Sequence, residues 1–123
     1  GEHVARISID FTGDWQADLH TIGLVLRDFL SDPIELAMNR MLATTNNADL
    51  REQMGLHWAP ILREFHRPIS DAQARGNMSE NVDGELVISL LISTILTEAV
   101  FIQGLPDDAW VHRLVAQLIR GCV

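Results

Sequence analysis

Apolar side chains recur at intervals of three and four residues along most of the chain, the spacing that places them on one side of an α-helix. Capping and turn residues interrupt this pattern and divide it into five segments. The pattern predicts helices over about residues 15–30, 33–44, 48–75, 84–103 and 108–120. We therefore expect an all-α fold, an antiparallel bundle of about five helices around one core.

The first eleven residues do not follow the helical spacing. Their apolar positions alternate with polar ones and are Val4, Ile7, Ile9 and Phe11. Such alternation fits a short strand, a connecting segment or the tail of a helix. We expect a connecting segment over residues 1–11 and a single domain over residues 12–123, because no internal repeat or low-complexity tract divides the remainder.

The predicted helix over residues 84–103 is apolar around nearly its whole circumference. One side carries a continuous apolar arc formed by Ile88, Leu91, Ile92, Ile95, Leu96, Ala99 and Ile102. The opposite side mixes leucine, valine and phenylalanine with serine and threonine, so it is not a charged, solvated face. A helix of this kind needs cover on both sides, and in so small a domain a partner subunit is the natural second cover. The alternative is a central helix wrapped entirely by its own chain.

Small residues on that helix indicate where a partner helix would approach. Ser89, Ser93 and Thr97 recur every four residues and form one stripe. The last predicted helix is also apolar over about half of its circumference. We predict a homodimer in which the last two helices of each subunit form a four-helix interface. The residues expected at this interface are Leu86, Ser89, Leu90, Ser93, Thr97, Val111, Leu114, Val115 and Leu118.

Charge and composition restrict the partners of these residues. The formal net charge is −8, from seventeen acidic residues against nine arginines, and such a surface repels the phosphates of DNA. The lone Cys122 excludes an internal disulfide and fits a reducing cytoplasm, where we expect the protein to reside. No stretch reaches the roughly twenty clean apolar residues of a membrane span, so we expect no membrane insertion.

Catalytic chemistry has little support in the sequence. Nucleophile-elbow, phosphate-loop, dinucleotide-binding and CxxC motifs are all missing from the chain. His57 and His66 lie on one predicted helix, but neither has a second ligand four residues away. We expect no enzyme activity, no catalytic residue, no metal and no cofactor. The alternative is a small all-α metal-dependent enzyme that uses His57, His66 and Glu98.

Five segments in succession carry a resemblance to a known family. They are TGDWQADL, SDPIELAMNRML, ADLREQMGLHWAPILREF, AQARGNMSENVDGELVISLLISTIL and GLPDDAWVHRLVAQLIRG. No single segment is diagnostic, but together they span about residues 12–121. In this order the chain resembles the C-terminal regulatory domain of tetracycline-repressor-like (TetR) transcriptional regulators.

The resemblance implies a homodimer and a pocket for a small-molecule effector among the central helices. It also implies an N-terminal helix-turn-helix domain that binds operator DNA, and these 123 residues contain no such basic pair of helices. We expect a largely apolar effector, because methionines and aromatic side chains suit an apolar cavity. The same side chains also suit a plain core, which leaves a ligand-free helical assembly protein as a second alternative. The residues expected to bind the effector are Met38, Met41, Trp58, Leu62, Phe65, His66, Glu98 and Phe101.

Overall fold

The computed structural model describes residues 8–123, which fold into five helices and contain no strand. The helices are α1 (Trp15–Leu30), α2 (Pro33–Thr44), α3 (Ala48–Ala74), α4 (Gly84–Phe101) and α5 (Asp108–Arg120). The all-α prediction is confirmed, and every predicted helix boundary lies within two residues of the observed one. The expected connecting segment falls partly on residues 1–7, which lie outside the described residues. Residues 8–11 form neither helix nor strand, and Ile9 is buried in the core.

Local capping explains why the helix starts are predictable from sequence. Each helix begins after an acidic or amide residue whose side chain accepts hydrogen bonds from backbone N–H groups of the first turn. These caps are Asp14, Asp32, Asn47, Asp83 and Asp107. The capped N–H groups have no partner within the helix, so each cap contributes about 1 kcal/mol to stability.

Helices α1 and α4 organise the bundle, because each of them contacts all four other helices. The inner face of α1 is almost fully removed from solvent at Leu19, Ile22, Leu26 and Leu30. The inner face of α4 packs against it through Ile88, Leu91 and Ile95, which are equally buried. The core therefore lies between these two helices, with α2, α3 and α5 around them.

The buried carboxylate of Asp18 ties the start of the domain to α1. The backbone N–H of Thr12 donates to both Asp18 oxygens, at 3.0 and 3.2 Å, and the Thr12 hydroxyl donates to Oδ1 at 2.9 Å. The backbone N–H of Gly13 adds a further hydrogen bond to Oδ2 at 3.2 Å. Because Asp18 is itself buried within α1, residues 12 and 13 have a fixed position relative to that helix.

Helices α1 and α5 approach each other closely at Gly23. A Cβ atom at this position would lie 2.7 Å from Cγ1 of Val111 and 3.2 Å from Cγ2 of Val115. Both valines are completely buried by this contact. Val111 and Val115, which the sequence predicts at a subunit interface, thus lie inside the subunit against α1.

Two histidines meet on the outer side of the same helix pair. Nδ1 of His20 on α1 lies 2.7 Å from Nδ1 of His112 on α5, and the ring centroids are 4.8 Å apart. One nitrogen must donate and the other must accept, so the contact requires at least one neutral ring. Partial burial, followed by repulsion from His112, lowers the pKa of His20 below 6.5.

Helix α2 turns polar residues inward and apolar residues outward. Glu35 and Asn39 are buried, whereas Ile34 is 70 % exposed and Met41 is 51 % exposed. The carboxylate Oε1 of Glu35 lies 2.8 Å from Nε2 of His57 on α3. The side-chain amide of Asn39 donates to the backbone carbonyl of Glu35 at 2.7 Å. Hydrogen bonding of these groups offsets the desolvation cost of their burial.

The close approach at Gly23 predicts opposite effects for two glycine-to-alanine substitutions. Gly23→Ala should destabilise the fold by about 1–3 kcal/mol, because the rigid Val111 side chain cannot move away from the new methyl group. Gly55→Ala, within α3 and with nothing within 4 Å of its Cβ, should stabilise it by about 0.5–1 kcal/mol. Urea unfolding followed by circular dichroism measures both. Equal effects of the two substitutions would contradict the close approach.

The histidine pair predicts a loss of stability in mild acid. Because the folded state holds the pKa of His20 below its unfolded value of 6.5, protonation favours the unfolded chain. This contribution is fully present above pH 6.5 and is lost as the pH falls through the lower folded pKa. His112→Gln removes the repulsion, the smaller of the two causes, so between pH 7.5 and 5 the melting temperature of this variant should fall less than that of the wild type. Parallel pH profiles would show that the pair does not act in this way.

Candidate ligand site and subunit interface

A crevice of about 450 Å³ opens between α2, the first turn of α3 and the second half of α4. We call it crevice A. It is lined by Asn39, Leu42, Ala43, Arg51, Ser93, Leu96, Thr97, Val100 and Phe101. Its volume falls within the range of about 300–1,000 Å³ that is typical of small-molecule sites.

The polar groups of crevice A come from three helices. Arg51 is the one charged residue among those that line it. One guanidinium nitrogen of Arg51, Nη2, donates to the backbone carbonyl of Thr45 at 3.0 Å. The Thr97 hydroxyl donates to the carbonyl of Ser93 at 2.7 Å, which leaves its oxygen able to accept a hydrogen bond. The crevice therefore combines an apolar surface with a few hydrogen-bonding groups.

Glu35, which is buried and pairs with the half-buried His57, lies one helical turn from Asn39. The imidazole of His57 stacks on Phe29, with ring centroids 6.3 Å apart. Trp58 meets the edge of Phe29 at 5.6 Å. These contacts connect α1, α2 and α3 beside crevice A and fix the orientation of the α2 face that carries Asn39.

The residues predicted to bind an effector are spread over different environments. Phe101 lines crevice A, and Glu98 lines a separate crevice near α5. Phe65 is completely buried in the core, and Trp58 and Leu62 are half-buried and pack against it. The structure thus does not bring these five side chains together around one cavity.

The remaining three predicted residues, unlike Phe101 and Glu98, line neither of these crevices. Met38 is half-buried and Met41 is exposed on the outer side of α2. Nδ1 of His66 lies 2.6 Å from the carbonyl of Leu62, to which it donates. Nε2 of His66 is buried and has no hydrogen-bond partner among residues 8–123.

Sequence reasoning missed Asn39 and Arg51, the most polar residues of crevice A. A signal for Asn39 was present in the spacing of Glu35, Asn39 and Leu42, which places two polar side chains on one helical face. Arg51 follows the cap Asn47 by four residues and carries no signal that separates it from the other exposed arginines. The residues that line crevice A with Arg51 come from α2 and α4, and those of α4 are far away in the sequence.

The outer face of α4 is uncharged and accessible. Leu86 is 54 % exposed and Leu90 is 45 % exposed, and the small residues Ser89, Ser93 and Thr97 accompany them on this face. We call these five residues the outer α4 face. Leu114 and Leu118 of α5 are half-buried and pack against the core.

Two further crevices lie beside the outer α4 face. Crevice B, of about 470 Å³, lies between the start of α4 and the end of α5, and Leu86, Leu90 and Leu118 are among its lining residues. Crevice C, of about 250 Å³, lies between α4 and α5, with Glu98 and Trp110 in its lining. Ser93 and Thr97 line both crevice A and crevice C. The outer α4 face is therefore continuous with open crevices on both of its sides.

Possible metal ligands do not cluster in the part of the chain that the structure describes. No group of three or more histidine, cysteine, aspartate or glutamate side chains is placed there to hold an ion. His57 pairs with Glu35, and His66 donates to a backbone carbonyl. Burial raises the pKa of the Cys122 thiol, which favours the unreactive protonated form.

Helix α4 also meets the length and composition of a membrane span. This test is passed equally by the core helices of soluble proteins, so one such helix is weak support for a membrane segment. The buried side chains of α4 pack against all four other helices.

Comparison with known proteins agrees with the helical architecture. Residues 9–118 match the tetracyclin repressor-like C-terminal domain family. The chain is also 30 % identical over 110 residues to a protein of Mycobacteroides abscessus described as the DNA-binding transcriptional repressor TetR. This match covers 88 % of the chain but only 57 % of the relative. No solved structure matches the chain at a significant level.

The family match extends from the residues before α1 to the last turns of α5, and therefore includes crevice A and the outer α4 face. The fold, the helix order and the match all agree with the resemblance found in the sequence. The chain belongs to the family of tetracyclin repressor-like C-terminal domains.

Proposed function

We propose that this chain is the effector-sensing and homodimerisation domain of a TetR-like transcriptional regulator. The outer α4 face is the observation that carries the proposal. Its two leucines are about half exposed, none of its five residues is charged, and open crevices flank it. An exposed apolar surface of this kind marks an interaction site in a protein that is otherwise strongly charged.

A second copy of the chain fits this surface better than a charged partner does. The serines and the threonine allow two helix backbones to approach closely, while Leu86 and Leu90 provide apolar area to bury. Leu118 lines crevice B together with both leucines, so α5 would contribute to the same contact. The expected arrangement contains α4 and α5 from each subunit about a two-fold axis.

Effector sensing is supported by the position of crevice A. Ser93 and Thr97 belong both to this crevice and to the outer α4 face. A molecule bound in crevice A would therefore touch the helix that contacts the partner subunit. Coupling between the two events requires only that the ligand bind one arrangement of the dimer more tightly than the other.

DNA binding would be a property of the whole regulator. The relative from Mycobacteroides abscessus is described as DNA-binding, and the chain covers 57 % of its length. The net charge of −8 makes these residues a poor surface for phosphates. We propose that a separate helix-turn-helix domain of the intact regulator contacts the operator in the cytoplasm. The effector-sensing domain would adjust the placement of that helix-turn-helix domain.

Charge introduced on the outer α4 face should separate the subunits. In the double variant Leu90→Arg/Ser93→Arg, two-fold symmetry would bring four guanidinium groups into one apolar contact, at a cost of several kcal/mol. Light scattering should report twice 13.8 kDa for the wild type and 13.8 kDa for the variant.

The matched control is Leu56→Arg, at a leucine of α3 that is more exposed than either leucine of the outer α4 face. This control should remain a dimer. A wild-type monomer would refute homodimerisation, and a dimeric double variant would refute this choice of surface.

A further inference from the structure

We infer that the effector of crevice A is an apolar molecule with one anionic group, and that Arg51 binds this group. The inference rests on the proposed effector-sensing function and adds the chemical class of the ligand. It is carried by the charges and the apolar area that line the crevice.

The charge of the crevice is positive in a protein that is otherwise strongly acidic. Arg51 contributes the one formal charge among the lining residues, and no carboxylate lines the crevice. Among the described residues, no aspartate or glutamate oxygen lies within 4.0 Å of the Arg51 guanidinium. An ammonium group in this crevice would meet repulsion from Arg51 and would find no lining carboxylate to compensate for it.

The guanidinium of Arg51 retains hydrogen-bonding capacity for a ligand. It has five N–H donors, and one nitrogen donates to the carbonyl of Thr45. The remaining donors suit the paired oxygens of a carboxylate or a phosphate, which arginine binds in a two-pronged geometry. The Asn39 amide, held by its bond to the Glu35 carbonyl, and the Ser93 hydroxyl supply neutral polar groups nearby.

The rest of the lining is apolar and selects against small inorganic anions. Leu42, Leu96, Val100 and Phe101 come from α2 and α4, and Phe101 is 64 % exposed. Covering this surface favours a ligand whose body is a hydrocarbon chain or an aromatic ring, by about 25 cal/mol for each Å² buried. One charged end and one apolar body therefore match the two parts of the crevice.

Two matched series of probes test the ligand class by calorimetric titration. The first is decanoate, decanol and decylamine, and the second is 2-naphthoate, 2-naphthol and 2-naphthylmethylamine. At least one carboxylate should bind the wild type more tightly than its alcohol and its amine. Arg51→Met keeps an apolar stem of similar length, and it should weaken the carboxylate about 10- to 100-fold while leaving the alcohol unchanged.

Two control variants separate the ligand class from the site itself. Arg63→Met removes an exposed arginine elsewhere on α3 and should leave every affinity unchanged. Ala43→Trp fills crevice A from an exposed lining position and should abolish binding of all probes.

The possible negative results distinguish a wrong ligand class from a wrong site. If Arg51→Met leaves carboxylate binding unchanged while Ala43→Trp abolishes it, the anionic class is wrong and crevice A remains the effector site. If Ala43→Trp leaves binding unchanged, crevice A is not the site, and the proposed sensing role of this crevice fails with it. If neither carboxylate binds the wild type, the anionic class is refuted.

Discussion

Helix α4 has more apolar surface than its own domain covers, and this constraint governs the rest of the structure. Its inner face contacts the other helices and supplies the fully buried Ile88, Leu91 and Ile95 to the core. The same helix leaves Leu86 and Leu90 about half exposed. A helix without a charged side has no face that prefers water, yet the bundle covers only the inner side of α4 and leaves the outer α4 face accessible.

Helix α2 shows how polar contacts can decide which side of a helix faces inward. Its apolar residues alone would favour burial of Ile34 and Met41, yet both are exposed. The pair of buried Glu35 and half-buried His57 joins α2 to α3 instead. Such a pair contributes little net stability but makes the alternative orientation costly, because a rotated α2 would separate its two partners. This orientation is what brings Asn39 to crevice A.

The helices and their boundaries were predictable because capping and periodicity are local properties of the sequence. The orientation of α2 was not, since Glu35 and His57 are twenty-two residues apart and neither position alone indicates the other. The packing of Val111 and Val115 against α1 was not predictable for a related reason. They lie on the apolar half of α5, and only the absence of a side chain at Gly23 shows which neighbour receives them.

The candidate site was less predictable than the fold. Large apolar side chains are typical of a ligand pocket, but here Phe65 is buried in the core and Trp58 packs against the core. Crevice A instead forms where parts of three helices meet. Its polar residues become candidate ligand contacts only because the fold brings these parts together. Of the residues expected at an effector site, Phe101 alone lines it.

The hydrogen bonds of Asp18 couple the position of α1 to that of the two residues Thr12 and Gly13. Residues 12 and 13 are hydrogen-bonded to the first turn of a helix of sixteen residues, which is about 24 Å long. Any displacement of α1 that kept these hydrogen bonds would therefore carry residues 12 and 13 with it. Because α1 contacts all four other helices, a change in the packing of any of them bears on the position of Thr12.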